Sequence, residues 1–138
     1  MSEFAINAAL VRAWQGAGIA YPTAFEGKDF TPPDASPWAA VFMLPASAAP
    51  AALGIHSPIE HVGIFQVDIN HPLNAGAPAM LKDADKVGGY FSPGASFEYE
   101  GMNVNIERCQ RSSIRRSEGW LTVSLSVRWR GWQHRVTS

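Results

Sequence analysis

Three histidines close together in the sequence are the residues that could bind a metal ion. His56, His61 and His71 are accompanied by the carboxylates Glu60 and Asp68. Zinc sites usually combine such ligands at fixed spacings, as in HExxH or in cysteine pairs, and this sequence contains neither pattern. His61 and Asp68 lie an odd number of residues apart in a strand-like segment, so we expect their side chains on opposite faces. The sequence therefore predicts neither a metal site nor a bound cofactor.

The single cysteine and a group of glutamates are the residues that could do acid–base or nucleophilic chemistry. Cys109 is flanked by Arg108 and Arg111, whose positive charges would favour the thiolate. No cysteine–histidine signature or nucleophile turn accompanies it. Glu98 and Glu100 would share one face of a strand, as paired catalytic carboxylates do, but nothing else in the sequence positions a substrate beside them. We therefore predict that the protein is not an enzyme.

The charges of the chain are divided unevenly along its length. The formal net charge is −1, yet residues 1–107 hold four basic against eleven acidic side chains, whereas residues 108–138 hold seven arginines against Glu118. The basic segment contains no lysine, and arginine is the better residue for forked contacts to carboxylate or phosphate. This segment suits contact with a polyanion, contact with the acidic face of another copy of the chain, or simple solvation of an outer strand face.

The same segment mixes aromatic and basic side chains. Trp120, Trp129 and Trp132 are interleaved with Arg128 and Arg130, and such mixtures can stack the bases of single-stranded nucleic acid. Alternation along a strand, however, places Trp129 and the two arginines on opposite faces. A basic surface that senses only the charge of duplex DNA fits this pattern better, since it needs no contact with the bases.

Apolar residues at helical spacing predict two helices. The first covers about residues 3–16 and ends at Gly16-Ala17-Gly18. The second begins near Asn74, a candidate N-cap, and Gly88-Gly89 and Pro93-Gly94 end it. Between the first helix and the first strand, the proline-rich residues 18–36 predict an irregular connection that packs on the core.

Two buried strands are predicted on either side of an unusual segment. Residues 38–44 form a continuous apolar run, and residues 60–70 alternate between apolar and polar. Residues 46–58, which lie between them, are small, weakly apolar and interrupted by prolines. We expect this segment to be a flexible arm or the tip of a long hairpin, with the two strands paired antiparallel around it.

The second half of the chain predicts further strands. A short edge strand is expected at residues 96–99 and another strand around residues 104–106, and the clearest alternation of the chain covers residues 121–130. The resulting order of elements gives an α+β fold in which two helices cover one face of a mainly antiparallel sheet. At 138 residues we expect a single domain, residues 1–138, with no secretory signal and no membrane-spanning segment.

An ordered set of short motifs gives the sequence a family resemblance. The motifs are Tyr21-Pro22, Phe30-Thr31-Pro32-Pro33, Ser36-Pro37-Trp38, Leu44-Pro45-Ala46, Leu53-Gly54 and Gly63-Ile64-Phe65-Gln66-Val67-Asp68. A helix-like segment that ends at Ala84-Asp85-Lys86-Val87 follows them. In order and spacing they resemble the phage tail terminator-like family, and the resemblance covers almost the whole chain.

The resemblance implies a function in assembly. Proteins of this family form a ring, commonly a homohexamer, that caps the completed tail tube, stops its polymerisation and offers a surface to head or neck proteins. The implied partners are other copies of the chain, the tail tube protein, a head or neck connector protein and duplex DNA that passes without sequence-specific contact. The implied location is the virion tail, with the host cytoplasm during assembly, and no membrane is involved.

The resemblance and the charge pattern together suggest roles for particular residues. The residues that match the family pattern, and for which we expect structural roles, are Tyr21, Pro32, Pro33, Pro37 and Trp38. The residues expected at a subunit interface or in the lumen of a ring are Arg108, Arg111, Arg115, Arg116, Arg128 and Arg130. The arm at residues 46–58 is expected to contact the tube or a neighbouring subunit.

Three other functions remain open from the sequence. The chain could be a head–tail joining protein of the neck, which shares the size and α+β character of a terminator. It could be a stand-alone nucleic-acid-binding module, which would show steep salt dependence of DNA affinity through the Arg108–Arg116 cluster. It could also be a small hydrolase that uses Cys109 or the histidines, although no motif supports such a site.

Overall fold

The structure, a computed structural model, describes residues 2–44, 47–50, 59–73 and 76–133. The helices are α1 (Ser2–Gly16) and α2 (Ala77–Tyr90). The strands are β1 (Thr23–Phe25), β2 (Trp38–Met43), β3 (Ser47–Pro50), β4 (Ile59–Pro72), β5 (Ser96–Tyr99), β6 (Met102–Arg111), β7 (Arg115–Ser117) and β8 (Trp120–Gln133). Neither of these helices is long and apolar enough to cross a membrane.

The strands form a single sheet around two long central strands. Its order is β1-β2-β4-β8-β6-β5, with β3 added to β4 and β7 added to β8. All pairings are antiparallel except β1 with β2. The predicted α+β class with a mainly antiparallel sheet is therefore confirmed.

Alternation along β4 and β8 decides which face of the sheet is buried. Their register sets Val67 opposite Leu125 and Phe65 opposite Val127, and these side chains are almost fully buried. Residues two apart on a strand share a face, so every second position of β4 and β8 faces the core. Burial of these branched and aromatic side chains removes a large apolar area from water, which is the main stabilising contribution to the fold.

Both helices cover this apolar face, as predicted. α1 packs on β5 and β6, and α2 packs on β4, β6 and β8. The large side chains that the helices bury include Ile6, Leu10, Trp14, Met80 and Val87, which recur at the spacing of one helix face.

Two details of the sequence prediction need correction. The connection at residues 18–36 contains β1, a strand of three residues that continues the sheet beyond β2. Helix α2 ends at Tyr90, between the predicted stops Gly88-Gly89 and Pro93-Gly94; the buried Val87 and Phe91 hold its last turn on the core, and the Phe91 N–H donates to the Val87 carbonyl at 2.9 Å. The N-cap of α2 is Gly76; the candidate Asn74 lies outside the described residues.

The predicted arm at residues 46–58 lies mostly outside the described residues. Ser47–Pro50, within it, forms β3 and pairs antiparallel with Ile59–Val62 of β4. This part of the segment is therefore a strand of the sheet, which agrees with the hairpin alternative rather than with a free arm.

Candidate subunit interface on the outer face of the sheet

The face of the sheet opposite the helices, here called the outer face, carries most of the candidate site. Strand register places its residues in rows across the sheet. Its members include Trp38 and Phe42 on β2, Ile64, Gln66, Asp68 and Asn70 on β4, Thr122, Ser124, Ser126, Arg128 and Arg130 on β8, and Arg108 and Gln110 on β6. No helix of the described residues covers this face; Asn70, Thr122 and Ser124 on it are buried, and the rest of the face is available to a partner.

Arg108 and Arg128 are directly opposite each other on β6 and β8. Both side chains are exposed, and within the described residues neither forms an ion pair. Like charges at directly opposed positions of an antiparallel pair repel each other and destabilise the sheet. The pair occurs because the register shifts between Ile106 and Arg108, which moves Arg108 to the outer face.

Arg130 has a different environment from Arg128, although both lie on the same face of β8. Its guanidinium lies 3.3 Å from the Glu60 carboxylate and 3.4 Å from that of Glu107. Arg130 is thus paired with two carboxylates, which leaves one negative charge in excess, whereas Arg108 and Arg128 have no ion-pair partner within the described residues.

Arg115 is held by hydroxyl groups rather than by a carboxylate. Its guanidinium donates to the Ser124 hydroxyl at 2.8 Å, and that hydroxyl in turn donates to Asp68 at 2.6 Å. Gln66 donates to the same Asp68 carboxylate at 2.9 Å. These bonds fix the Arg115 side chain against the sheet.

The two remaining candidate arginines do not belong to the outer face. Arg111 is opposite Leu125 and Arg116 is opposite Leu121, so both occupy positions on the helix side of the sheet, and both are exposed. Arg111 donates to the Ser112 carbonyl at 2.9 Å. The structure therefore divides the predicted arginine group, and it leaves Arg108 and Arg128 as its unpaired outer-face members within the described residues.

An aromatic groove lies at one end of the outer face. Trp38 contacts Phe30 and Trp120, with ring centroids 5.3 Å and 5.9 Å apart respectively. The groove has a volume of about 310 Å³, and Pro32 and Phe42 also line it. Trp38 begins β2, as the family pattern suggested, and Pro32 brings the preceding connection against the sheet.

Tyr21, another residue of the family pattern, belongs to a polar cluster on the helix side. Its hydroxyl donates to the Asp83 carboxylate of α2 and lies 2.7 Å from Nε2 of His71 on β4. The single phenolic proton goes to Asp83, so Nε2 of His71 must carry the proton of its own hydrogen bond. The cluster joins the α1–β1 connection, the end of β4 and helix α2.

Burial changes the proton affinities of this cluster. His71 is 3% exposed, and desolvation lowers its pKa despite the opposing attraction of Asp83. Desolvation, followed by the hydrogen bond and the negative charge of Asp83, raises the pKa of Tyr21 well above its ordinary value. Both groups are therefore neutral at physiological pH. The cluster has a structural role, because its hydrogen bonds hold the three elements together.

The expectation that neighbouring arginines favour a Cys109 thiolate is wrong. Cys109 is opposite Val127 on the helix side of the sheet; Arg108 is on the outer face, and Arg111 is on the same side as Cys109 but exposed. Burial raises the pKa of the Cys109 thiol to about 11, so the thiol is protonated at neutral pH.

The other candidate chemical groups are separated in space. His61 is buried, whereas Asp68 contacts Gln66 and Ser124 on the outer face. Glu98 lies on β5, but Glu100 lies in the turn after it, with φ 48°. Within the described ranges no three histidine, cysteine or acidic side chains are placed to hold one metal ion, and His56 lies outside those ranges.

Comparison with known proteins agrees with this fold. Fourteen solved chains match, and one of them aligns over 100% of this chain and 99% of its own length, with a TM-score of 0.73 and 24% sequence identity. At that identity the likeness shows a shared fold alone. Among curated proteins no match is found.

The comparison with protein families is more specific. The family model described as phage tail terminator protein matches residues 4–129, which includes both helices and nearly all of the sheet. This chain therefore belongs to the phage tail terminator family, a family of structural proteins of the virion tail.

Proposed function

We propose that this protein caps the tail tube of a long-tailed phage or prophage as a ring. The ring stops polymerisation of the tube and provides the surface to which the head or neck attaches. The observation that carries this proposal is the family match over residues 4–129. No bond chemistry is required, because capping needs only complementary surfaces.

The proposed partners follow from this role. Copies of the chain form the ring, a homohexamer in the virion, and the isolated protein can be a monomer at low concentration before it meets the tube. The ring contacts the tail tube protein on one side and a head or neck connector protein on the other, in the host cytoplasm during assembly. Duplex DNA passes through the lumen without sequence-specific contact.

The outer face supports a ring interface. A closed ring of identical copies needs one patch that meets a different patch on the next copy. The uncovered face of the sheet, with its aromatic groove and its unpaired Arg108 and Arg128, is a suitable first patch. Arg111 and Arg116, which lie on the helix side of the sheet, are then available to line a lumen or to contact another partner.

The direct test removes the protein from its own phage. We expect deletion of the gene to give tubes of uncontrolled length, and expression of the wild-type chain in trans to restore one uniform length, as measured by negative-stain electron microscopy. Tails of normal length that lack heads in the deletion strain would instead identify a head–tail joining protein. Normal, infectious particles in the deletion strain would contradict both assignments.

The nucleic-acid alternative predicts a different observation. If the chain were a DNA-binding module, its affinity for duplex DNA would fall steeply with salt and would be lost on neutralisation of the Arg108–Arg116 cluster. Titration of duplex DNA at several salt concentrations, with the wild-type protein and with the neutralised variant, distinguishes this alternative.

A further inference from the structure

Arg108 and Arg128 form a repulsive pair with no ion-pair partner of its own in the part of the chain that the structure describes. They are directly opposed across β6 and β8, and the neighbouring carboxylates Glu60 and Glu107 are engaged with Arg130. A fold keeps a repulsive pair at low cost only where both side chains reach into water. An incoming carboxylate would relieve the repulsion and accept forked hydrogen bonds from both guanidinium groups.

The surroundings of the pair favour a protein partner over DNA. The outer-face residue opposite Arg128 on β4 is Ile64, and Phe42, 36% exposed, lies at the other side of the same face. Lysine is absent from the outer face, since the chain's lysines lie in α2 and in the β1–β2 connection. Protein–protein interfaces are enriched in aromatic residues and arginine and depleted in lysine, whereas DNA-binding surfaces are much more positively charged.

Two exposed acidic side chains at another place on the surface, here called the acidic patch, have the complementary charge, with Lys28 beside them in the sequence. Asp29 and Asp34 lie in the connection between β1 and β2, both are exposed, and neither forms an ion pair within the described residues. This connection borders the outer face at the β2 end, where Phe30 and Pro32 contact or line the groove.

The two patches do not pair with each other in one molecule: within the described residues no ion pair joins them. In the strand order β4 lies between β2, which follows the connection, and β8, which carries Arg128, and at roughly 4.8 Å per strand this separates β2 from β8 by about 10 Å. Because the patches are different sets of residues, their contact between two copies would be heterologous.

We propose that Arg108 and Arg128 of one copy bind Asp29 and Asp34 of a second copy, and that this contact orients neighbouring subunits. The inference rests on the proposed ring and names the residues of its interface. It assigns the arginine pair to a subunit contact and excludes it from the lumen.

Reciprocal charge reversal tests the contact. One variant carries Arg108→Glu with Arg128→Glu, and the other carries Asp29→Arg with Asp34→Arg. In either variant alone both patches have the same sign, so we expect the self-association constant to fall at least roughly hundredfold. In an equimolar mixture each patch again meets its opposite on the other variant, so association should return. Sedimentation velocity up to millimolar protein measures all three samples.

A matched control changes the same charges on the helices. Arg12→Glu on α1 and Asp85→Arg on α2 are exposed positions away from both patches, and they should leave association of the full chain unchanged. Circular dichroism and thermal melting of every variant establish that each one folds.

Any one of three results would overturn the inference. The first is wild-type protein that stays monomeric at the highest concentration, the second is single variants that associate like the wild type, and the third is a mixture that fails to associate. Loss of duplex-DNA binding in Arg108→Glu/Arg128→Glu with unchanged self-association would assign the pair to DNA. If reciprocal variants behave as expected but gene deletion leaves tail length normal, the proposed function fails and the contact stands.

Discussion

At the scale of single residues, two arginines on one face of β8 have opposite effects on the folded chain. Arg128 meets Arg108, whereas Arg130 lies between Glu60 and Glu107. The same substitution at the two positions should therefore change stability in opposite directions. The difference arises from cross-strand neighbours, which contribute to sheet stability at the level of roughly 0.2–1 kcal/mol per pair.

We predict that Arg128→Thr raises the free energy of unfolding by about 0.5 kcal/mol, because it removes a like-charge pair and introduces a good strand residue. Arg130→Thr should lower it by about 0.5 kcal/mol, because exposed ion pairs of this kind contribute about that much. Urea unfolding of both variants and the wild type at low salt measures the difference. Equal shifts of the same sign would show that the pairs have no influence on stability.

Cys109 gives a second prediction at this scale. With a pKa of about 11, the half-buried thiol should react with iodoacetamide far more slowly in the folded protein than in urea at pH 8, and the folded rate should rise steeply only as the pH approaches 11. Cys109→Ser should leave tail termination unchanged. Rapid alkylation of the folded protein at pH 8 would contradict a half-buried, protonated thiol.

The environments of these residues could be predicted from the sequence only in part. Alternation along residues 121–130 correctly separates Trp129 from Arg128 and Arg130. The environment of Arg108 depends on the register shift after Ile106, and no local pattern marks that shift. For the same reason, proximity in sequence wrongly suggested that Arg108 would stabilise a Cys109 thiolate.

At the scale of elements, the cluster of Tyr21, His71 and Asp83 ties a long connection to the core. Its effect on stability should depend on pH. The pKa of folded His71 lies below the ordinary value of 6.5, so the unfolded chain binds more protons in the interval between the two values. The free energy of unfolding should therefore be highest above pH 6.5 and should fall as the pH drops through the interval.

Urea unfolding between pH 7.5 and pH 5 measures this dependence, with His71→Gln as the comparison. The variant should lose part of the pH dependence, since glutamine can still donate to Tyr21 but does not titrate. An identical pH dependence in both proteins would show that other groups cause it.

Removal of β3 and the residues after it tests the segment between β2 and β4. β4 remains paired with β8 when residues 47–57 are deleted, because Ile59–Val62 are opposite Arg130–Gln133. We expect a folded chain that no longer terminates tails, as assayed by melting temperature and by tail length in the deletion strain. Normal tail length with this variant would show that the segment does not contact the tube or a neighbour.

Long elements with strict periodicity could be predicted, and short ones could not. Strand β8 and helix α1 have enough apolar positions to define a face. Strand β1 has three residues and follows a proline, so it shows no period; its pairing depends on the distant β2. Helix α2 continues past two glycines because Val87 and Phe91 are buried in the core, and packing of this kind overrides local propensity.

At the scale of the whole molecule, the division of charge along the sequence becomes a division in space. The sequence predicted an arginine-rich segment and an acidic remainder, but not which charges neutralise each other within one chain. The structure pairs Arg130 with Glu60, which are distant in sequence, and leaves Arg108, Arg128, Asp29 and Asp34 unpaired within the described residues. Only strand order and register could make that distinction.

The edges of the sheet affect whether a further strand can be added to it. The strands at the two ends of the strand order are short, with three residues in β1 and four in β5. Just after β1, the Glu26 carboxylate accepts the N–H of Met43, the last residue of β2. It therefore occupies the position on β2 at which a further strand would bond. Short and blocked edges discourage strand-to-strand addition. The two strands at the ends of the strand order therefore offer little backbone on which a further strand could be added.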